Sequence, residues 1–177
     1  MDWSKAKNII IAALLVVNLT IGGLLLQERA SERSQLQQAA ADTKVFLEAA
    51  GMQLDAEVPE TAEKLPVLFV TLDRSGEESS DEAYKGYPII VQGRRVHFTV
   101  AGSGQQSART IPASEALLKL YARLSSAGSV EGLHVEAVDM VYLLTTDTTS
   151  YAAQDTAIPA WRIRVSGSTY YVNAYEE

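Results

Sequence analysis

The chain has 177 residues, with 22 acidic side chains against 15 basic ones, a net charge of −7 and no cysteine. Without thiols there is no disulfide framework, no thiolate metal site and no cysteine nucleophile. The acidity argues against nucleic acid as a partner, because little would compensate the phosphates.

The first element is apolar. Residues 9–26 contain no charged side chain. At about 1.5 Å of rise per residue they would span roughly 27 Å as a helix, close to the hydrocarbon thickness of a bilayer. The expectation is a transmembrane helix over 8–27, with the lipid bilayer around it. Lys5, Lys7 and the α-amine outweigh Asp2 before this stretch, while Glu28, Arg29, Glu32 and Arg33 balance after it. The excess of positive charge on the first flank then expects residues 1–7 in the cytoplasm and 28–177 outside the cell membrane, a single pass. A cleaved signal peptide is the competing reading; the nearest small-residue run is Ala39, Ala40 and Ala41, well downstream and inside a helical pattern. On a helix, Ile11, Leu14, Leu15, Asn18, Gly22 and Leu25 share one stripe and form the expected transmembrane interaction face. Asn18 offers a hydrogen bond in hydrocarbon and Gly22 permits close approach. The alternative for Asn18 is a bond within a homodimer or back to its own helix.

Residues 1–27 hold only Lys5, Lys7 and Asp2, so 13 of the 15 basic and 21 of the 22 acidic residues fall in 28–177, a net charge of −8 there. Residues 28–50 continue as a helix, with Leu36, Ala39, Ala40, Val45, Phe46, Leu47 and Ala50 at three- and four-residue steps and Gly51 as its stop. Residues 52–64 read as an acidic loop, and 65–72 as an apolar strand. Residues 74–85 read as a solvated acidic loop. Glu77, Glu78, Asp81 and Glu82 lack the spacing of a calcium loop.

Residues 87–100 alternate about Gly93 and Arg94. A hairpin closed there pairs Val91 with Val96, Ile89 with Phe98 and Tyr87 with Val100. Residues 102–107 read as a Gly/Ser/Gln linker. Residues 111–127 predict the best helix, with Pro112 and Glu115 in its first turn, Leu117, Leu118, Leu120, Tyr121 and Leu124 following, and Gly128 ending it. A long strand over 133–144 and a polar loop over 145–156 follow. A second hairpin about Gly167 and Ser168 then pairs Val165 with Tyr170, Ile163 with Val172 and Trp161 with Ala174. Its outer face, Arg162, Arg164, Tyr171 and Tyr175, is a candidate partner surface.

The two hairpins superpose on a shift of 74 residues. The expected fold is therefore α+β: one N-terminal transmembrane helix, then two tandem helix-plus-antiparallel-sheet units (α-β-β-β each). These are extracellular unit 1 over 28–102 and extracellular unit 2 over 103–177.

Catalytic chemistry finds little support. His97 and His134 fall on the polar side of strand patterns, and no sequence-local pair makes a zinc site. Gly102, Ser103 and Gly104 lack the flanking pattern of a nucleophile elbow. No phosphate-binding glycine loop is present. The expectation is no enzyme, no metal and no cofactor.

Two blocks carry a resemblance. The opening Met-Asp-Trp-Ser-Lys-Ala-Lys-Asn-Ile, which runs into an apolar stretch containing Val17, Asn18 and Leu19, resembles the start of the YycI-type regulatory proteins of the YycH/YycI family. The ending resembles that family's final hairpin and, more loosely, PepSY-like exported domains. It contains Ile158, Pro159, Ala160, Trp161, Arg162 and Ile163, then Tyr170, Tyr171, Val172, Asn173, Ala174 and Tyr175. The two blocks cover about a quarter of the chain, and residues 30–157 match no motif. The resemblance implies a single-pass regulator of an essential two-component system for cell-wall metabolism. Its implied partners are a WalK (YycG)-type sensor histidine kinase and a YycH-like protein, contacted partly through transmembrane helices. The other reading is an exported ligand-binding or protease-inhibitory module.

Overall fold

In the computed structural model, residues 3–59, 63–73, 83–93, 97–146 and 154–175 are described. Helix α1 covers Trp3–Ala49. Then come β1 (Gln53–Leu54), β2 (Lys64–Asp73), β3 (Ala83–Tyr84), β4 (Tyr87–Gly93) and β5 (His97–Arg109). Helix α2 (Ala113–Ala127) precedes β6 (His134–Thr146), β7 (Gln154–Val165) and β8 (Ser168–Asn173). The chain divides into two compact units, Met1–Gln38 and Ala39–Glu177.

This architecture corrects the expected fold class. The second unit is one mixed eight-stranded sheet, not two tandem antiparallel ones. Its main path runs β3-β4-β6-β7-β2-β5, with β1 also on β6 and β8 also on β7. The transmembrane helix expected over 8–27 is likewise not found: among the described residues no helix is long and apolar enough to cross a membrane. The uncharged run is the first part of a 47-residue helix that continues through Glu28, Arg29, Glu32 and Arg33. Many side chains of that run, including Ile11, Gly22 and Leu25, lie outside the described residues.

The sheet is built on a spine. β6 and β7 pair antiparallel from Val135↔Val165 to Leu144↔Ala157. Each is long enough to serve two half-sheets. Near the start of β6 the half-sheet is β1-β6-β7-β8, with β1 parallel to β6 through Gln53↔His134 and Leu54↔Val135. Toward its end the order is β4-β6-β7-β2-β5, with β4 parallel to β6 from Ile89↔Tyr142 to Gly93↔Thr146.

Helix α2 covers the first half-sheet. Pro112 stands at its N-cap, where a missing N–H costs nothing, and Glu115 faces the positive end of the helix. Ala113 and Ala116 are small enough to let the helix sit close, while Leu117 and Leu120 fill the core beside Trp161, Ile163 and Val165. Burying each leucine contributes roughly 1.5–3 kcal/mol. The end of α1 joins the same core through Leu47 and Met52. It closes with Gly51 N–H on the Glu48 carbonyl at 3.1 Å and Met52 N–H on the Leu47 carbonyl at 2.9 Å. That bond pair needs a left-handed residue, and Gly51 supplies it at φ +86.

The second half-sheet encloses its own core of Leu65, Leu68, Val70, Ile89, Phe98, Tyr142, Leu144 and Ala157. β4 and β5 stand four strand steps apart in the sheet order. A flat sheet would hold them about 19 Å apart. Yet only three residues separate Gly93 from His97, and four peptide links reach at most about 15 Å. This part of the sheet therefore curls, and the core fills its concave side.

The predicted hairpins fare differently. β7 and β8 do form one, but its turn is Ser166-Gly167, both at positive φ (45 and 77), as a two-residue turn of the primed kind requires. The pairs are Val165↔Ser168, Ile163↔Tyr170 and Trp161↔Val172, a slip of two from the expected register. A slip of two preserves alternation, so the expected inward set stays inward. Among the described residues, β4 and β5 do not pair as the hairpin expected about Gly93 and Arg94; Arg94 and Val96 lie outside those residues. β4 pairs with β3 and β6, and β5 pairs with β2. The apolar alternation of Ile89 and Phe98 correctly marks a shared core but says nothing about which strands are neighbours.

Residues 102–107 are not a linker but part of edge strand β5. Ser103 pairs with Leu68, Gly102 with Phe69, and the ladder slips between Phe69 and Val70. Glycine suits such an irregularity, and an edge strand needs backbone pairing more than apolar side chains.

Candidate functional site

The two half-sheets meet differently on the two sides of the spine. Beside β7 they abut: β2 pairs up to Ala157, β8 begins at Ala160, and Ala174 N–H donates to the Pro159 carbonyl at 3.0 Å. Beside β6 they do not. β1 pairing ends at Val135 and β4 pairing begins at Tyr142. Among the described residues, 136–141 therefore have a strand partner on the β7 side only. At about 3.3 Å per residue this leaves roughly 20 Å of open strand edge in the middle of a sheet.

A cleft of about 330 Å³ opens at this edge, with Val138, Asp139 and Met140 of β6 in its wall. Pro59, on the chain leaving β1, and Gly86, Tyr87 and Pro88, at the start of β4, bound it. Lys85 and Gly86 form the β3–β4 turn at φ 52 and 88. Pro88 has no N–H to donate, so the ladder to β6 starts one residue later, at Ile89.

Arg162, opposite Asp139 in the β6–β7 ladder, also lines the cleft. Its Nη2 donates to Asp139 Oδ2 at 3.0 Å. Its Nε is buried and has no hydrogen-bond partner among the described residues. A buried donor left unpaired costs about 1–3 kcal/mol, more when charged, so it marks a place where an acceptor belongs. The Tyr87 hydroxyl is held above the ordinary phenol range, first by burial and then by its hydrogen bond to Glu63 and that carboxylate's charge. Glu63 is fixed in turn by Thr110, whose Oγ1 donates to the Glu63 carbonyl at 2.9 Å and accepts from its N–H at 3.1 Å. Trp161 forms part of the lining, and its Nε1–H donates to the Ile111 carbonyl at 2.9 Å.

Of the expected partner surface, Arg162 and Tyr171 are direct cross-strand neighbours, and Arg164 stands opposite Thr169. Tyr171 packs on a small cluster of Val141, Leu143 and Ala160 on the sheet face away from α2. Tyr175 is not with them. It lies beyond the end of β8, and its hydroxyl donates to the Leu65 carbonyl at 3.3 Å. Of the expected helix stripe, Leu14, Leu15 and Asn18 are exposed.

His97 lies opposite Asp73 at the start of β5. His134 places Nδ1 3.1 Å from Asp55 Oδ2, both side chains exposed. No group of three or more His, Asp or Glu residues is arranged to hold a metal among the described residues. Glu77, Glu78, Asp81 and Glu82 lie outside them.

The sequence reading missed Glu63, Tyr87 and Asp139 as a group, because the segments that carry them are far apart in the chain. The one local signal was Pro88, which cannot donate to the ladder and stands just before the pairing of β4 with β6 begins.

No family model matches the chain, and no curated protein matches it. Among solved structures, it is similar to an uncharacterized protein from Eubacterium rectale at 14% identity and a TM-score of 0.34. The match covers 46% of this chain and 26% of that one, so the aligned part spans about a quarter of the length of that structure. A likeness of that size assigns neither fold nor function.

Proposed function

We propose that this protein is a non-enzymatic regulator of a WalK (YycG)-type sensor histidine kinase that controls cell-wall metabolism. It would work at the bacterial cell membrane beside a YycH-like partner, with residues 28–177 on the outer side. The supporting observation is the closing sequence block that resembles the YycI-type ending. Its residues 158–163 lie within β7, and 170–175 take in the last four residues of β8 and the two that follow; one of them, Arg162, lines the cleft at the open β6 edge. This reading puts the working contact on the folded unit Ala39–Glu177 and not on the apolar N-terminal run.

The test is capture of the kinase from membranes by the tagged full chain, together with target-gene output in a strain lacking the protein. The expected result is co-purification of the kinase and altered output. No capture together with unchanged output would reject the reading. The absence of cysteine allows a clean check of location, since a single cysteine introduced at exposed Ser125 would be the only thiol. It should react with a membrane-impermeant maleimide on intact cells. The cleft also favours a second reading, an exported peptide-binding module of PepSY-like kind. On that reading the protein would bind its ligand with no kinase present.

A further inference from the structure

The open edge of β6 has the features of a strand receptor. We propose that it binds an extended, basic polypeptide segment, which inserts between β1 and β4 and pairs its main chain with residues 136–141. This goes beyond the kinase assignment and does not depend on it.

Three observations carry the inference. First, the edge is framed. β1 and β4 are both parallel to β6 on the same side, and among the described residues 136–141 have no strand partner on that side. A segment lying there would complete the row of strands, and main-chain pairing of this kind gives affinity with little demand on side chains. Pro88, with no N–H to give, keeps the start of β4 out of this place, and Pro59 stands at the cleft beyond β1.

Second, the buried Nε–H of Arg162 has no acceptor among the described residues. Asp139 holds the guanidinium through Nη2 and leaves Nε–H spare. A peptide strand carries a carbonyl every residue, and one of these would satisfy the donor.

Third, the charge is one-sided. Residues 28–177 carry a net −8. The Glu63 carboxylate, which accepts from Tyr87, stands at the cleft. Arg162, a cation in the cleft wall, is already paired with Asp139. A lysine or arginine on the incoming segment would meet Glu63 and be drawn by the field of the whole unit.

The test uses the full chain and a fluorescein-labelled peptide, Lys-Val-Thr-Val-Thr-Lys. The comparison is the same sequence N-methylated at alternate amides. N-methylation removes main-chain donors while keeping side chains and charge. The expected results are saturable binding, a loss of at least about tenfold on N-methylation, and slowed amide exchange confined mainly to 136–141. Arg162→Gln should also weaken binding by about tenfold, with an unchanged circular dichroism spectrum. No binding up to about 1 mM would overturn the proposal. Equal binding of the N-methylated peptide would overturn it too, because attraction would then be electrostatic only. Protection elsewhere but not at 136–141 would have the same effect. The wild-type comparison stands even if Arg162→Gln fails to fold. Failure of any arm leaves kinase capture to be judged by itself.

Discussion

Trp161→Phe isolates the contact that ties the spine to the segment entering α2. Trp161 is about 1% exposed, and its Nε1–H donates to the buried Ile111 carbonyl at 2.9 Å. Phenylalanine removes the donor and leaves that carbonyl without it, at about 1–3 kcal/mol. The smaller ring also leaves a void of roughly 40 Å³, which adds about 1 kcal/mol at the usual cost per unit of cavity volume. The sum is about 2–4 kcal/mol, a large share of the 5–15 kcal/mol of a typical domain. For a unit of this size it should lower Tm by roughly 10 °C. Urea unfolding should be followed by far-UV circular dichroism, because the substitution removes one of only two tryptophans and leaves Trp3 as the other. The midpoint should fall with an unchanged slope. A loss below about 0.5 kcal/mol would show that the bond and the fit of the ring contribute little, and the reasoning would be refuted.

Gly51→Ala should destabilise by about 1–2 kcal/mol, because φ is +86 and a Cβ there would stand 3.3 Å from Glu131 Cα. Thermal melts check it, and a neutral result would refute the role of Gly51 in closing α1. Tyr87, Tyr142 and Tyr175 all have hydroxyls raised above the ordinary phenol range, with burial the first cause in each. In the unfolded chain they ionise near pH 10, whereas folded they stay neutral to higher pH. Their contribution is therefore fully present below pH 10 and is lost as pH rises beyond it. Base titration followed by phenolate absorbance should show three late-titrating tyrosines, and Tyr142→Phe should soften the alkaline fall in stability.

Much of the local structure was legible in sequence. The strand over 65–72, the helix over 111–127 and the strand over 133–144 all announce themselves by periodicity and punctuation, and each exists with shifts of one or two residues at its ends. Gly51 and Pro112 signal a helix end and a helix start through backbone chemistry that any fold must obey. The order of strands was not legible. Ile89 and Phe98 look like hairpin partners because both face a core, yet Ile89 pairs with Tyr142 and Phe98 with Leu72. Alternation records which face is buried, and parallel pairing between residues 53 positions apart leaves no local mark. Gly102 to Ser107 looked like a linker because an edge strand is held by its backbone. The cleft escaped for the same reason, since a missing strand partner is a property of neighbours and not of any residue in it.

The spine has a further consequence for how the chain comes to be folded. β1 waits for His134, β4 waits for Tyr142, and β2 waits for Gln154 on one of its sides. A chain emerging from its N-terminus can assemble α1 and the β2–β5 pair, but the middle of the sheet arrives last. Until the final third is made, its early strands have open edges and a half-built core, so a fragment ending before residue 134 should have no stable fold. Such late closure makes the interval between synthesis and closure the period in which a chaperone or a protease would find the chain.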